Sequence, residues 1–187
     1  MQMQEDLKNL SINVNSETCL NFIDFEYSNE LYKLVSHSRS SLRRWLPWVD
    51  YVHSQGDFSQ LIQYYLNKYR NNGTITMCIR YKNQAAGIIG FNYIDWRNRS
   101  GALGYWLGNK FQGKGVMLSS CRKMIKHGFL HLNLHKTNIL CATGNYSSRK
   151  IPERLQFRKE GLLRDGEWLN DHYEDLYSYA MLAKEWE

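Results

Sequence analysis

Prolines are scarce: the 187-residue sequence has two, Pro47 and Pro152. That scarcity excludes a proline-rich linker, and no internal repeat or low-complexity run divides the chain. The opening Met-Gln-Met-Gln-Glu-Asp lacks the basic and apolar regions of a signal peptide. No uninterrupted apolar stretch approaches the roughly 20 residues that cross a bilayer. A cytoplasmic protein without a membrane partner is expected. Four cysteines, Cys19, Cys78, Cys121 and Cys141, include no Cys-x-x-Cys pair and lie in apolar or amphipathic runs. Free buried thiols are expected there, not metal ligands or disulfides. Six histidines form no His-Glu-x-x-His, so no metal is expected, and no Ser-His-Asp order is visible. Charge of one sign is also not concentrated. The 24 basic and 18 acidic residues leave +6, scattered without a dense basic run. The excess favours an anionic partner, such as cofactor phosphates or a ribosome or nucleic acid surface, though the nucleic acid signal is weak.

What is present suits one domain spanning residues 1–187. A chain that is 43% hydrophobic at this length buries a substantial core. Residues 8–23 read as strands broken by a turn at Asn15-Ser16. A helix follows from about Ser28, its N-cap, to His37, with Leu31, Leu34 and Val35 on one face. Arg39 to Tyr51 mixes cations with Trp45 and Trp48 around Pro47, which breaks any helix. A second helix runs from about Asp57 to Arg70 and stops at Asn71-Asn72-Gly73. Strands at 75–81 and 86–94 form a hairpin, and a third spans 102–107. A helix from Leu118 to Leu130, a strand at 137–143 and a helix at 145–155 come next, with strands at 157–163 and 173–182 closing the chain. Strand, helix, strand over 102–143 implies a parallel pair with a right-handed crossover.

The run from Leu103 to Met117 stands out, because an apolar strand enters a loop with Gly113 and Gly115 and a helix leaves it. Such a turn binds phosphate: first-turn amides lack intrahelical partners, the helix dipole adds positive charge, and glycine lets oxygen approach the backbone. Lys114 adds a full charge. Neither Gly-x-Gly-x-x-Gly nor the Walker pattern is present, which argues against a dinucleotide fold and a P-loop ATPase. A plain strand-to-helix turn explains the loop equally well.

The wider pattern resembles a known family. Gly-Tyr-Trp-Leu-Gly-Asn-Lys-Phe-Gln-Gly-Lys-Gly, residues 104–115, resembles the acetyl-CoA motif of the GNAT superfamily of N-acetyltransferases. Gln112 and Gly115 hold its Arg/Gln and Gly positions, and Met117 departs from its final Gly/Ala. Asn145-Tyr-Ser-Ser148 leading to Glu153-Arg-Leu-Gln-Phe157 is similar to a second superfamily segment, with Gln156 in place of the usual glycine. Trp45-Leu-Pro-Trp48 with Arg39 and Leu42, together with Gly161-Leu-Leu-Arg164-Asp and Trp168 to Tyr179, looks like the RimJ/RimL branch, which acetylates ribosomal-protein alanine and serine N-termini.

The resemblance implies an α/β (α+β) GNAT fold: a mixed sheet of about seven strands, mostly antiparallel with a splayed parallel pair, flanked by about four helices. It implies acetyl-CoA as cosubstrate and a primary amine as acceptor, above all the N-terminus of a ribosomal protein. Backbone amides among Gln112, Gly113, Lys114, Gly115, Val116 and Met117 would take the pyrophosphate. Trp106, Leu107 and Gly108 would pair with pantetheine by strand addition, and the Leu107 amide would stabilise the oxyanion. Asn145 would contact pantetheine. The tyrosine that relatives carry seven residues after that asparagine is Pro152 here, which leaves Ser148 as the catalytic donor to the leaving thiolate. Ser148 as a helix cap is the alternative. For the base, Asp95, His53, His172 and Glu174 are candidates, and water-relayed proton loss needs none. Acetylation of a polyamine or aminoglycoside remains open, although the Arg-rich stretch 39–44 disfavours a cationic acceptor. A non-catalytic acyl-CoA-binding or ribosome-binding module is a further alternative, and Trp45, Trp48 and Trp96 could line a pocket or a homo-oligomer contact.

Overall fold

A computed structural model describes residues 10–186, so residues 8 and 9 of the first expected strand lie outside the described part. Eight strands form a single sheet in the order β1-β2-β3-β4-β5-β6-β8-β7. Four α-helices among the described residues flank it. The expected sheet is therefore found with one strand more than anticipated.

β1 (Ser11–Asn13) and β2 (Thr18–Phe22) are joined through Asn15, whose side chain accepts the Glu17 amide. Helix α1 (Ser28–Leu42) runs five residues beyond the expected end. Ser28 is its first residue and not its cap: the Ser28 hydroxyl bonds the Gln55 carbonyl and the Ser59 hydroxyl, tying α1 to α2. Pro47 opens a 3₁₀ turn (Pro47–Tyr51), where its missing amide costs nothing. Helix α2 (Gln55–Asn72) starts with a reciprocal Ser54–Asp57 capping box and ends on Gly73 at φ +67°. Trp96 covers that glycine and donates its indole N–H to the Asn72 carbonyl, so this tryptophan anchors a helix end.

β3 (Thr76–Tyr81) and β4 (Gln84–Asp95) are joined at Lys82-Asn83, both at positive φ as a two-residue hairpin turn requires. β5 (Ser100–Leu107) leads through the glycine loop to α3 (Val116–Leu130). β6 (Lys136–Ala142), α4 (Tyr146–Arg154), β7 (Arg158–Leu169) and β8 (His172–Leu182) complete the chain. β7 runs six residues past its expected end. Its side chains are exposed almost throughout because it is the edge strand, so no alternation of apolar and polar residues marked it.

Successive β5 side chains point to opposite faces of the sheet. Trp106 packs against Trp48, which in turn meets Phe58 of α2, so α1 and α2 cover that face. On the other face, Phe91 is sandwiched between β5 and α3 in space left by Gly101 and Gly128.

The feature that positions the site is an interrupted ladder. β5 and β6 are parallel neighbours only over Ser100–Ala102 and Lys136–Asn138. Beyond those residues β6 keeps only β8, and β5 only β4. The Gly108 amide bonds the Ala86 carbonyl. Alternation along the ladder then turns the backbone of Gly104 and Trp106 toward β4, and that of Leu103, Tyr105 and Leu107 into the gap. Across from them, the Ala183–His135 and Thr143–Asp175 bonds leave Leu140 and Ala142 facing the same gap.

Gly128→Ala tests the packing behind this gap. Alanine in a helix interior gains up to about 1 kcal/mol over glycine. Here its Cβ would lie 2.7 Å from the Phe91 ring, which is 1% exposed. Overpacking of that kind costs roughly 1–3 kcal/mol, so net destabilisation is expected in urea unfolding, relieved by adding Phe91→Leu.

Candidate active site

The glycine turn follows directly from the open edge of β5. Gly113 and Gly115 both have φ +75°, a region that favours glycine, and a Cβ at either would meet nothing within 4 Å. Gly115 is the N-cap of α3 and supplies no side-chain cap, so the first-turn amides of a 15-residue helix are left for an outside acceptor. Lys110 and Lys114 lie over the Phe111 ring, at 4.7 Å and 6.0 Å, beside the turn. Val116 and Met117 send their side chains into the core, which explains why methionine is tolerated where the motif has a small residue: only its backbone borders the turn.

Of the three residues expected to pair with pantetheine, Leu107 has the suitable direction. Its backbone faces the gap, and its carbonyl accepts Gln112 Nε2 at 3.4 Å. The Trp106 and Gly108 backbones are turned to β4, and the Trp106 ring is buried against Trp48. The buried Trp106 indole N–H has no partner, a donor left for a ligand.

Ser148 does not cap α4. That role belongs to Asn145, whose Oδ1 accepts the Ser148 amide at 3.1 Å. The Ser148 hydroxyl instead lies 3.3 Å from the Tyr105 hydroxyl and 3.3 Å from Cys141 Sγ. Burial pushes both the phenol and the thiol above their ordinary values, so the cluster is neutral and protonated. Glycine turn, outward-facing Leu107 and a protonated hydroxyl thus converge on the gap. Together they fit a ligand with a phosphate group, an extended amide chain and a leaving sulfur.

The candidate bases separate. Asp95 is held below the ordinary carboxylate range by the Asn98 amide and side chain, and it lines a different cavity, of about 520 Å³, with Tyr93, Ser100, His135 and Asn138. His53 sits at the start of α2, its amide on Asp57 and its carbonyl on Tyr32. His172 pairs with Asp171 at 2.8 Å and Glu174 at 3.6 Å, and these carboxylates raise its pKa. Glu174 lies at the end of β6, 3.9 Å from where a Gly144 Cβ would stand. Sequence reasoning missed Glu167, which pairs in register with Glu174 across the β7–β8 hairpin. Its side chain is solvent-exposed like most of β7, and neighbouring hairpin atoms that crowd out part of its water raise its carboxyl. The signal lay in the hairpin spacing, but it becomes visible only once β7 is extended past Leu163.

The arginines of the stretch 39–44, the lid over the site, have different partners. The Arg39 guanidinium turns inward to the carbonyls of Val49 and Val52, and Arg43 pairs with Asp50 at 2.9 Å. Trp45 packs over Ala142, Leu169 and Leu176, while Asn170 donates to the Arg43 carbonyl. Hydrogen bonds to carbonyls leave the Arg39 charge in place, and only Arg43 has a carboxylate partner, in a solvent-exposed pair.

Comparison with known proteins agrees with this geometry. The profile of the acetyltransferase (GNAT) domain family matches residues 20–158. "Putative ribosomal N-acetyltransferase YdaF" of Bacillus subtilis is 31% identical over 93% of this chain and 96% of its own length. The ribosomal-protein-serine acetyltransferase of Escherichia coli is 27% identical over 92% and 96%. Among solved structures, RimL, the ribosomal L7/L12 alpha-N-protein acetyltransferase in complex with coenzyme A, superposes with a TM-score of 0.88 at 29% identity, covering 92% of this chain and 98% of that one. The microcin C7 self-immunity acetyltransferase in complex with acetyl-CoA and AMP gives 0.89 at 29%, covering 94% and 98%.

Gly115→Val places a β-branched residue at positive φ and a side chain in the open space before α3. Calorimetry is expected to find at least about 10-fold weaker coenzyme A binding, equivalent to ~1.4 kcal/mol. Equal affinity would remove the turn from the phosphate site.

Proposed function

We propose that this chain, which belongs to the acetyltransferase (GNAT) domain family, acts on the α-amine at the N-terminus of a ribosomal protein. The observation that carries the reading is the interrupted β5–β6 ladder, flanked by the glycine turn after β5 and by Ser148 beside β6. The similarity to the two ribosomal-protein acetyltransferases extends over nearly the whole chain and supports the acceptor class.

Acetyl-CoA supplies an acetyl group activated as a thioester. The amides from Gly113 to Met117 would hold its pyrophosphate, helped by Lys114. The backbones of Leu107 and Tyr105 on β5, with Asn145 on the opposite side, would hold the pantetheine as an added strand. The Leu107 N–H points into the gap and serves as the oxyanion donor. Ser148 donates from Oγ to the leaving sulfur. Glu167, with Glu174 opposite, takes the proton of the incoming ammonium, directly or through water. Trp45, beside Gly144, forms a wall of the acceptor side.

A second reading has one observation in its favour. The similar microcin C7 self-immunity acetyltransferase was solved in complex with acetyl-CoA and AMP. An amine joined to an adenine nucleotide belongs in the test for that reason.

The deciding assay follows free thiol released from acetyl-CoA with ribosomal N-terminal peptides, polyamines, aminoglycosides and nucleotide-linked amines. The peptides are expected to give the highest kcat/KM. Preference for any small amine would overturn the acceptor, and tight binding without thiol release would overturn catalysis. Ser148→Ala should lower kcat about 100-fold, the scale of a lost general acid, with coenzyme affinity nearly unchanged. A base works deprotonated, so a raised Glu167 carboxyl places the acid limb of kcat/KM above the ordinary carboxylate range. Glu167→Gln should remove that limb, and an unaltered pH profile would exclude the residue.

A further inference from the structure

Pro152 lies inside α4 and has no amide to offer the carbonyl four residues back, that of Ser148. The carbonyl is not orphaned. From β5, Tyr105 donates its phenol hydrogen to it at 3.1 Å. The same phenol oxygen is 3.3 Å from the Ser148 hydroxyl. A phenol has one hydrogen, so with that hydrogen on the carbonyl, the second bond runs from the serine hydroxyl to the phenol oxygen. One side chain thereby grips the backbone and the hydroxyl of a single residue. Cys141 Sγ, 3.3 Å from Ser148 Oγ, closes the cluster.

Three residues on three elements have to agree for this to form. Tyr105 comes from the strand edge that faces the gap, Cys141 from β6, and Ser148 from the first turn of α4. Pro152 creates the acceptor that Tyr105 occupies. An ordinary residue at 152 would donate its amide to that carbonyl and compete with the phenol.

We propose that Tyr105 is the positioning residue of Ser148: it holds the serine hydroxyl in one rotamer through the carbonyl that Pro152 leaves free, and it turns its own hydrogen to Ser148 Oγ when the serine hydrogen is donated away. The protons balance: Ser148 Oγ protonates the leaving sulfur, the proton released by the incoming ammonium returns to Ser148 through water, and Tyr105 donates a hydrogen bond while keeping its hydrogen. The inference rests on Ser148 being the donor.

Two measurements on the full chain test it. The first needs no ligand. Tyr105→Phe should lower Tm by about 2–4 °C, the shift for the loss of roughly one hydrogen bond in a chain of this size. In a Pro152→Ala background, where an amide returns to the carbonyl, the same substitution should cost clearly less. Equal losses in the two backgrounds would overturn the pairing of Tyr105 with Pro152. The second is kinetic. Tyr105→Phe should reduce kcat about 5-fold, again one hydrogen bond, while acetyl-CoA affinity stays nearly unchanged. In a Ser148→Ala background it should reduce kcat no further. The same fold loss there would show that Tyr105 acts independently of Ser148 and would overturn the proposal. Full turnover by Ser148→Ala alone would instead overturn the donor reading and the positioning role with it, while the Tm cycle would still report whether the clamp exists.

Discussion

A hydrogen-bond ladder that stops after three residues is the constraint on which the rest of the structure depends. β5 and β6 stay paired only through Ala102 and Asn138. Each strand then holds its outer neighbour, β4 for one and β8 for the other, and these antiparallel pairings keep the two halves of the sheet from collapsing together. Backbone donors and acceptors of Leu103, Tyr105 and Leu107 are left facing the gap. A peptide group needs a partner, and an extended amide chain of suitable length supplies a row of them. The chain leaving this open edge runs straight into the glycine turn.

Close behind the gap, polar chemistry is handled without charge. Ser148, Tyr105 and Cys141 form a neutral cluster in which burial keeps the thiol and the phenol protonated. Charges are kept on the outer side, where Glu167, Glu174, Asp171 and His172 gather on the β7–β8 hairpin. The Asn170 bond to the Arg43 carbonyl fastens that hairpin to the lid, and Trp45 fills the space between them. The neutral cluster and the charged hairpin thereby lie on different sides of the gap.

Much of this was legible in the linear order. Helices with an apolar face, the hairpin around Lys82-Asn83-Gln84 and the strand-loop-helix at the glycine turn are local features, and local propensity reports them; the structure shortens the hairpin turn to Lys82-Asn83. The misreadings share a physical cause. Ser28 looked like a cap because its side chain could cap, but a carbonyl on α2 offered a better partner. β7 was cut short because an edge strand exposed on both faces has no alternation to read. The partners of Arg39, the Val49 and Val52 carbonyls, have no mark in the sequence around it, because they depend on how the 3₁₀ turn folds back on α1.

By itself the sequence determined the family, the order of elements and the position of the glycine turn, since each depends on residues within one short segment and on glycine where positive φ is needed. It also determined that no tyrosine stands at position 152 and that the carbonyl of Ser148 loses its amide there. Only the tertiary structure decided what replaces that amide. Tyr105 lies 43 residues away, and nothing in its local pattern marks it as more than one aromatic in an apolar strand. The gap between β5 and β6 brings it to α4, because a strand that has lost its partner on one side can reach what lies beyond.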